Sequence, residues 1–215
     1  MMILGYVKSA AGLMLLLSLC SLPVRAATSP APEAGREYTV LTSPVTPAPR
    51  VVEFFSFYCG HCRLFAERYP VRQTINRVLP SDTRVVRYHV SAMGPLGREL
   101  TEAWGMAVVL NKTDAVERLL FAAVQNGTVQ TADDIRHLLA KAGIDEGRYL
   151  QASHSPAVQA EVARQSKAVV EYDVRGVPAF YIDGKYHINN AGISGDTPAD
   201  YVSHFTRVVT SLLQY

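Results

Sequence analysis

Val51-Val52-Glu53-Phe54-Phe55-Ser56-Phe57-Tyr58-Cys59-Gly60-His61-Cys62 is the stretch that decides the fold of this 215-residue chain. A near-continuous β-branched and aromatic run is the pattern of a strand covered on both faces. The run stops at Cys59-Gly60-His61-Cys62, and Phe65, Tyr69, Ile75 and Leu79 then recur at helical spacing. The physical reading is a buried strand that delivers a C-x-x-C pair to the first turn of a helix. Unpaired N–H groups and about half a positive charge at a helix start favour a thiolate there. Cys59 is the sulfur that such a position presents, and Cys62 lies one turn inside. His61, between them, has the chemistry to offer the Cys59 thiolate a hydrogen bond or a positive charge. Glu53 is the exception in the strand: a buried carboxylate is costly, so it either faces solvent or has its pKa raised for use. Arg87, in the next apolar run, either pairs with Glu53 or, the favoured reading, is a solvated side chain.

The bulk numbers suit one sizeable globular domain, or one carrying an insertion: 48% apolar and 19% charged residues. Lys8 precedes the apolar run Ala10–Leu19, and Pro23-Val24-Arg25-Ala26 ends small, so residues 1–26 read as a secretory signal cleaved after Ala26. The apolar run is too short to span a bilayer. Losing Lys8 and Arg25 takes the formal charge from +2 to zero, which gives nucleic acid or an anionic membrane nothing to recognise. An uncleaved anchor is the alternative. A lipid anchor at Cys20 is disfavoured by the bulky Leu19 before it. Cys20 leaves with the signal, so the mature chain keeps only Cys59 and Cys62. In an oxidising compartment two cysteines one helical turn apart close almost no chain and staple little. They are better read as chemistry.

Residues 27–35 form a leader, Arg36–Leu41 an edge strand and the proline-spaced Ser43–Pro49 a loop. Pro70 should kink the first helix, and after the turn Pro80-Ser81-Asp82, Thr83–Val90 reads as a second buried strand. This β-α-β order implies a parallel pair with a right-handed crossover. Residues 27–91 are thus the first part of a sheet domain. From 92 to 168 the period turns helical, with Val116, Leu119, Leu120, Ala123 and Val124 on one face and caps at Thr131 and Ser155-Pro156. Residues 169–215 resume the sheet: Val177-Pro178 enters a hairpin turned by Asp183-Gly184, and a last helix starts at Thr197-Pro198. The helices, four or five of them, are therefore inserted rather than appended.

Strand, C-x-x-C, helix, strand and a distal Val-Pro entering a hairpin is an order that resembles the thioredoxin fold. The chain is more closely similar to the DsbA family of periplasmic thiol:disulfide oxidoreductases, through Val-Glu-Phe-Phe-Ser-Phe-Tyr-Cys-Gly-His-Cys, Tyr-His-Val (88–90), Leu-Thr-Glu-Ala-Trp (100–104) and Arg-Gly-Val-Pro-Ala (175–179). The resemblance spans nearly all of the mature chain. It implies an α/β thioredoxin fold with an inserted all-helical domain, and an enzyme that donates a Cys59–Cys62 disulfide to folding proteins. It implies Cys59 as nucleophile, Cys62 as buried partner, and Glu53 as an acid beneath them that accepts the proton of the inner cysteine. It further implies a cis bond before Pro178, with Val177 offering its backbone to substrate and Gly60, Met93 and Trp104 beside it. Reduced secreted proteins are the implied substrates, a DsbB-type membrane quinone-linked oxidase the re-oxidising partner, and the periplasm the location. A monomer without cofactor is expected. The chain departs from the family in having Gly-His where Pro-His is usual, and Ala66 where an acid precedes Glu67. Both bear on the strength of oxidation and leave the class of reaction as it is.

Three other readings of the cysteines compete. Half of a zinc site lacks its second pair, since only scattered histidines remain. A disulfide isomerase or reductase of this compartment resembles a thioredoxin domain behind a long dimerisation arm, for which the leader has no room. A peptide-holding chaperone with incidental cysteines is the non-redox alternative.

Overall fold

The apolar run at 51–55 forms the middle of the sheet because no side of it reaches water. β2 (Val51–Phe55) is buried at every position and pairs on both edges, parallel to β3 (Val86–His89) and antiparallel to β4 (Ala179–Ile182). β5 (Tyr186–Ile188) and β1 (Tyr38–Val40) complete a five-stranded sheet of order β1-β5-β4-β2-β3, with β1 on the edge. The molecule is described from a computed structural model covering Met2 and residues 30–214. The signal reading of 1–26, with Lys8, Cys20 and the cleavage after Ala26, lies outside the described residues. Everything below concerns the unit Ala31–Tyr215.

Alternation along β2 distributes the core. Val52 and Phe54 join Tyr88, Tyr172 and Tyr181 on one face. On the other, Val51 meets Ile75, Phe180 and Phe205, while Phe55 meets Phe57, Trp104, Phe121 and both cysteines. A period of two thus gives one strand three neighbourhoods. The cysteine-side core is built largely of edge-on rings: Phe55 and Trp104 have centroids 5.0 Å apart, Phe57 and Phe121 4.9 Å.

Pro70 ends the first helix outright instead of kinking it. α1 (Gly60–Glu67) stops, and α2 (Val71–Val78) starts with Pro70 as its N-cap. A proline has no N–H to give an interior ladder, and none is needed at a helix start. Between β3 and β4 come five helices: α3 (Gly97–Val109), α4 (Thr113–Gln125), α5 (Ala132–Lys141), α6 (Glu146–Ser153) and α7 (Pro156–Glu171). α8 (Pro198–Leu212) closes the chain and packs Phe205, Val208 and Val209 against the sheet. The fold is the thioredoxin fold with a helical insertion.

Local chemistry sets the ends of these elements. In α5 the Thr131 hydroxyl accepts from Asp134 N–H, while the Asp134 carboxylate accepts from Thr131 N–H at 2.8 Å. Thr131→Ala removes half of that reciprocal cap. It is expected to cost about 1 kcal/mol in urea denaturation, with the thiol chemistry unchanged. In the β4–β5 hairpin Asp183 and Gly184 both have positive φ, and Lys185 N–H donates to Ile182 C=O at 2.9 Å, as in a type I′ turn. A Cβ on Gly184 would lie 2.2 Å from Val45 C=O, so only glycine fits.

Candidate active site

β2 ends at Phe55, and four residues later the chain enters α1. Cys59 is the N-cap of that helix, and its Sγ accepts from Cys62 N–H at 3.1 Å. In the thiol form Cys59 Sγ donates to the Val177 carbonyl at 3.3 Å. Both cysteines are free thiols here. Their environments differ: Cys59 keeps 6% of its surface and Cys62 none.

The Cys59 thiol is lowered from 9.0 to about 7. The hydrogen bond from the Cys62 side chain does most, and burial opposes it. The N–H groups of Cys62 and His61 add to the lowering, and the Glu53 charge opposes. Cys62 is pushed far up, first by burial and then by its contact with Cys59. The pair therefore splits into one sulfur that ionises and one that holds its proton. His61 supports the thiolate through its backbone N–H, and the residue, exposed, lines the adjoining groove. The Cys62 side chain and, after it, the N–H groups of the helix start supply the stabilisation.

One side chain of the helical insertion and one of β3 hold the strand-to-helix turn. Gln125 of α4 donates Nε2–H to Phe57 C=O at 2.7 Å. Phe57 N–H donates to His89 Nε2 at 3.2 Å, which obliges His89 to carry its proton on Nδ1, facing Thr101 Oγ1 of α3 at 2.8 Å. Thr101 passes its own proton to Gly97 C=O at 2.9 Å. Burial, helped by the Arg87 charge, takes the His89 pKa down to about 3, so the ring is neutral and acts as a fixed bracket. Gly94, at φ 67, abuts Tyr58: a Cβ there would lie 2.4 Å from the ring.

Glu53 is 2% exposed and, through the parallel register, stands beside Arg87, itself 6% exposed. Arg87 is therefore not solvated, the reading its sequence favours, but paired with Glu53, the alternative. It donates from Nε to Glu53 Oε2 at 2.7 Å and from Nη1 to Glu117 Oε1 at 2.6 Å, and lies 4.1 Å over the Phe55 ring. Burial alone would lower the guanidinium, but the carboxylates of Glu53 and Glu117 reverse that and hold it above its ordinary value. Glu53 thus neither faces solvent nor stands alone. Its charge is felt at both sulfurs, and its oxygens are engaged by Arg87.

Val177-Pro178 is a cis bond, as is Thr46-Pro47, which the sequence reading did not anticipate. A groove of about 450 Å³ runs beside it, lined by His61, Leu64, Phe65, Tyr69, Val177 and Pro178. Asn190, whose side chain donates to Pro178 C=O at 2.7 Å, lines it as well. Nothing in the sequence marked Leu64, Tyr69 or Asn190 for this groove, because it is assembled from α1, the proline loop and the turn after β5. Trp104 is a correction. It is 1% exposed, its Nε1–H donates to Arg87 C=O at 3.1 Å, and it lies in the core, where no substrate reaches it. Met93 is half-buried against the same core, and Gly60 is exposed beside Cys59. Among the described residues, no three His, Cys, Asp or Glu side chains stand close enough to hold a metal ion. Nor, among them, is any helix long and apolar enough to cross a membrane.

Known proteins resemble this chain in sequence and fold. The profile of the DSBA-like thioredoxin domain matches residues 50–205. The chain is 44% identical over 180 residues to the Thiol:disulfide interchange protein DsbA of Yersinia pestis, covering 83% of this chain and 87% of that one. To the Escherichia coli O6:H1 protein of the same name it is 40% identical over 182 residues, covering 84% and 88%. Among solved structures, the disulfide oxidoreductase DsbA from Proteus mirabilis superposes with a TM-score of 0.82 at 42% identity, covering 85% of this chain and 97% of that one. A complex of the same Proteus protein, as a cysteine-to-serine variant, with the non-covalently bound peptide PWATCDS gives 0.83 at 41% identity, covering 86% and 100%. With its thioredoxin fold and its paired thiols of opposite character, this chain belongs to the DsbA family of thiol:disulfide oxidoreductases.

Proposed function

We propose that Cys59 is the sulfur that meets substrate and Cys62 the one that closes the cycle. In the oxidised protein a substrate thiolate attacks Cys59 Sγ and breaks the Cys59–Cys62 bond. Cys62 leaves with the electron pair and takes up a proton. A second substrate thiolate then attacks the substrate sulfur of the mixed disulfide, and Cys59 leaves as thiolate. Two electrons pass from the substrate dithiol to the pair, one proton ends on Cys62, and above pH 7 the other goes to solvent. The observation that carries this reading is the split between the sulfurs. The sulfur at the mouth of the helix, lowered to about 7, is the one substrate can reach, and it departs readily in the second step. The sealed sulfur, with its pKa raised, is hidden from attack and keeps the proton it takes up.

Val177 and the groove beside it support a substrate segment laid along the proline loop, within reach of Cys59. The Proteus mirabilis relative binds a cysteine-containing peptide, and the same use of this groove is proposed here. Export to the periplasm follows from the signal pattern of residues 1–26, and re-oxidation is assigned to a DsbB-type, quinone-linked membrane oxidase. Glu53 is proposed to act on the sulfurs through its charge, with its carboxylate braced by Arg87.

The pH dependence tests the assignment. Cys59 is an acid with a lowered pKa, so its contribution to the stability of the reduced form is complete above about pH 9. It is lost as pH falls through about 7 and at full strength amounts to about 2–3 kcal/mol. Absorbance of the thiolate at 240 nm should therefore rise with a midpoint near 7 and show one sulfur only. The reduction potential should fall by ~59 mV per pH unit below that point and by ~30 mV above it, as proton uptake drops from two to one. A midpoint near 9, or a single slope from pH 5 to 9, rules the reading out.

A further inference from the structure

α4 turns an apolar face inward through Val116, Leu120, Phe121 and Val124, and Glu117 interrupts it. A carboxylate in that position is costly unless each oxygen is met. Here both are: Oε1 accepts from Arg87 Nη1 at 2.6 Å and Oε2 from Arg72 Nη2 at 2.9 Å. Arg87 belongs to β3 and Arg72 to α2, so a helix of the insertion reaches two elements of the sheet domain with one charge. The row runs Arg72, Glu117, Arg87, Glu53. The inner three side chains are at most 8% exposed, and Arg72, at 19%, forms the rim. The inner three sum to one negative charge. Ala66 of α1 shares the cleft with Arg72 and Glu117, and its small side chain puts no competing charge there.

We propose that Glu117 is a positioning residue of the redox reaction: it divides the Arg87 guanidinium between two carboxylates and so limits the positive charge that the cysteine pair feels. Glu117 touches neither sulfur; it acts through Arg87 and Glu53. The groups facing Cys59 are few. Cys62 and the His61 backbone come from α1, Glu53 from β2 and the uncharged Val177 carbonyl from the proline loop. Behind them stand Arg87 and the neutral His89 from β3, Glu117 and the uncharged Gln125 from α4, and Arg72 from α2. Of these, Glu117 and Arg72 are the charges whose removal leaves the Glu53–Arg87 contact in place.

The inference rests on Cys59 being the ionising sulfur, and the test separates the two. Glu117→Gln keeps an oxygen for Arg87 and removes the charge. It should lower the midpoint of the 240 nm thiolate transition and shift the glutathione equilibrium toward the reduced protein by about three- to tenfold. Arg72→Gln removes the rim cation and should shift both readings the opposite way, by about twofold, because solvent screens it. Should Glu117→Gln not fold, the double variant E117Q/R72Q takes its place and must titrate below Arg72→Gln. Midpoints that do not move in folded variants, or that move in the same direction in both, overturn the role of Glu117. A wild-type protein without a thiolate transition near 7 would instead defeat the assignment of Cys59.

Discussion

Cys59→Ser should lose disulfide donation altogether, by about a thousandfold or more, measured as re-oxidation of a reduced, denatured ribonuclease or of a dithiol peptide. A hydroxyl cannot hold the disulfide or leave as a stabilised anion, and Cys62 cannot take its place. Cys62 has no exposed surface, and burial pushes its pKa up, so it is a poor nucleophile and a hidden target. The companion change, Cys62→Ser, should act differently. Cys59 can still attack a disulfide, but nothing resolves the product, so mixed disulfides should accumulate on non-reducing gels. The two variants need not differ in fold, since the cysteines close almost no chain. A Cys59→Ser protein that retains full activity would instead support the peptide-holding reading, in which the cysteines are incidental.

The second large effect is on stability. Arg87→Leu should cost about 3–5 kcal/mol in urea denaturation. The guanidinium meets Glu53 on one side and Glu117 on the other, and all three side chains are at most 8% exposed. Its removal leaves the Glu53 carboxylate without its arginine and Glu117 with Arg72 alone, and the stacking on Phe55 is gone as well. Leucine fills some of the volume and none of the charge. Neutralising the acids in the same background, as E53Q/R87L/E117Q, should return a large part of the loss, because the cost lies in unpaired charge more than in lost packing. A loss below about 1 kcal/mol in Arg87→Leu would show that water reaches the carboxylates and that the row is a surface feature.

This row was only half legible in the residues. Glu53 stood out because it interrupts a strand that is apolar everywhere else, but the residues left open whether it faces solvent or is buried. Arg87 was a possible partner for it but read better as solvated, and Glu117 did not stand out, since a charge in a short strand or on an amphipathic helix is most often solvated. What pairs them is a parallel register, Glu53 opposite Arg87, and the reach of the Glu117 side chain from α4 to β3. Neither is encoded locally. Trp104 errs in the other direction: the family resemblance placed it beside the active site. Packing against Phe55, together with an N–H that needed the Arg87 carbonyl, drew it into the core instead.

By itself the amino-acid order determined the central strand, the delivery of Cys59 to a helix start, the interruption of the sheet by helices and the hairpin that resumes it. Each of these depends on hydrophobic period, caps and turn residues within a few positions of one another. Only the tertiary structure decided that the Val177 carbonyl meets the Cys59 sulfur, that the neutral His89 braces the turn and that a groove opens beside Pro178. The same is true of the second acid, which reaches the buried arginine from the helical insertion. Those contacts join residues 30 to 118 positions apart. They come from how elements pack, which no local pattern records.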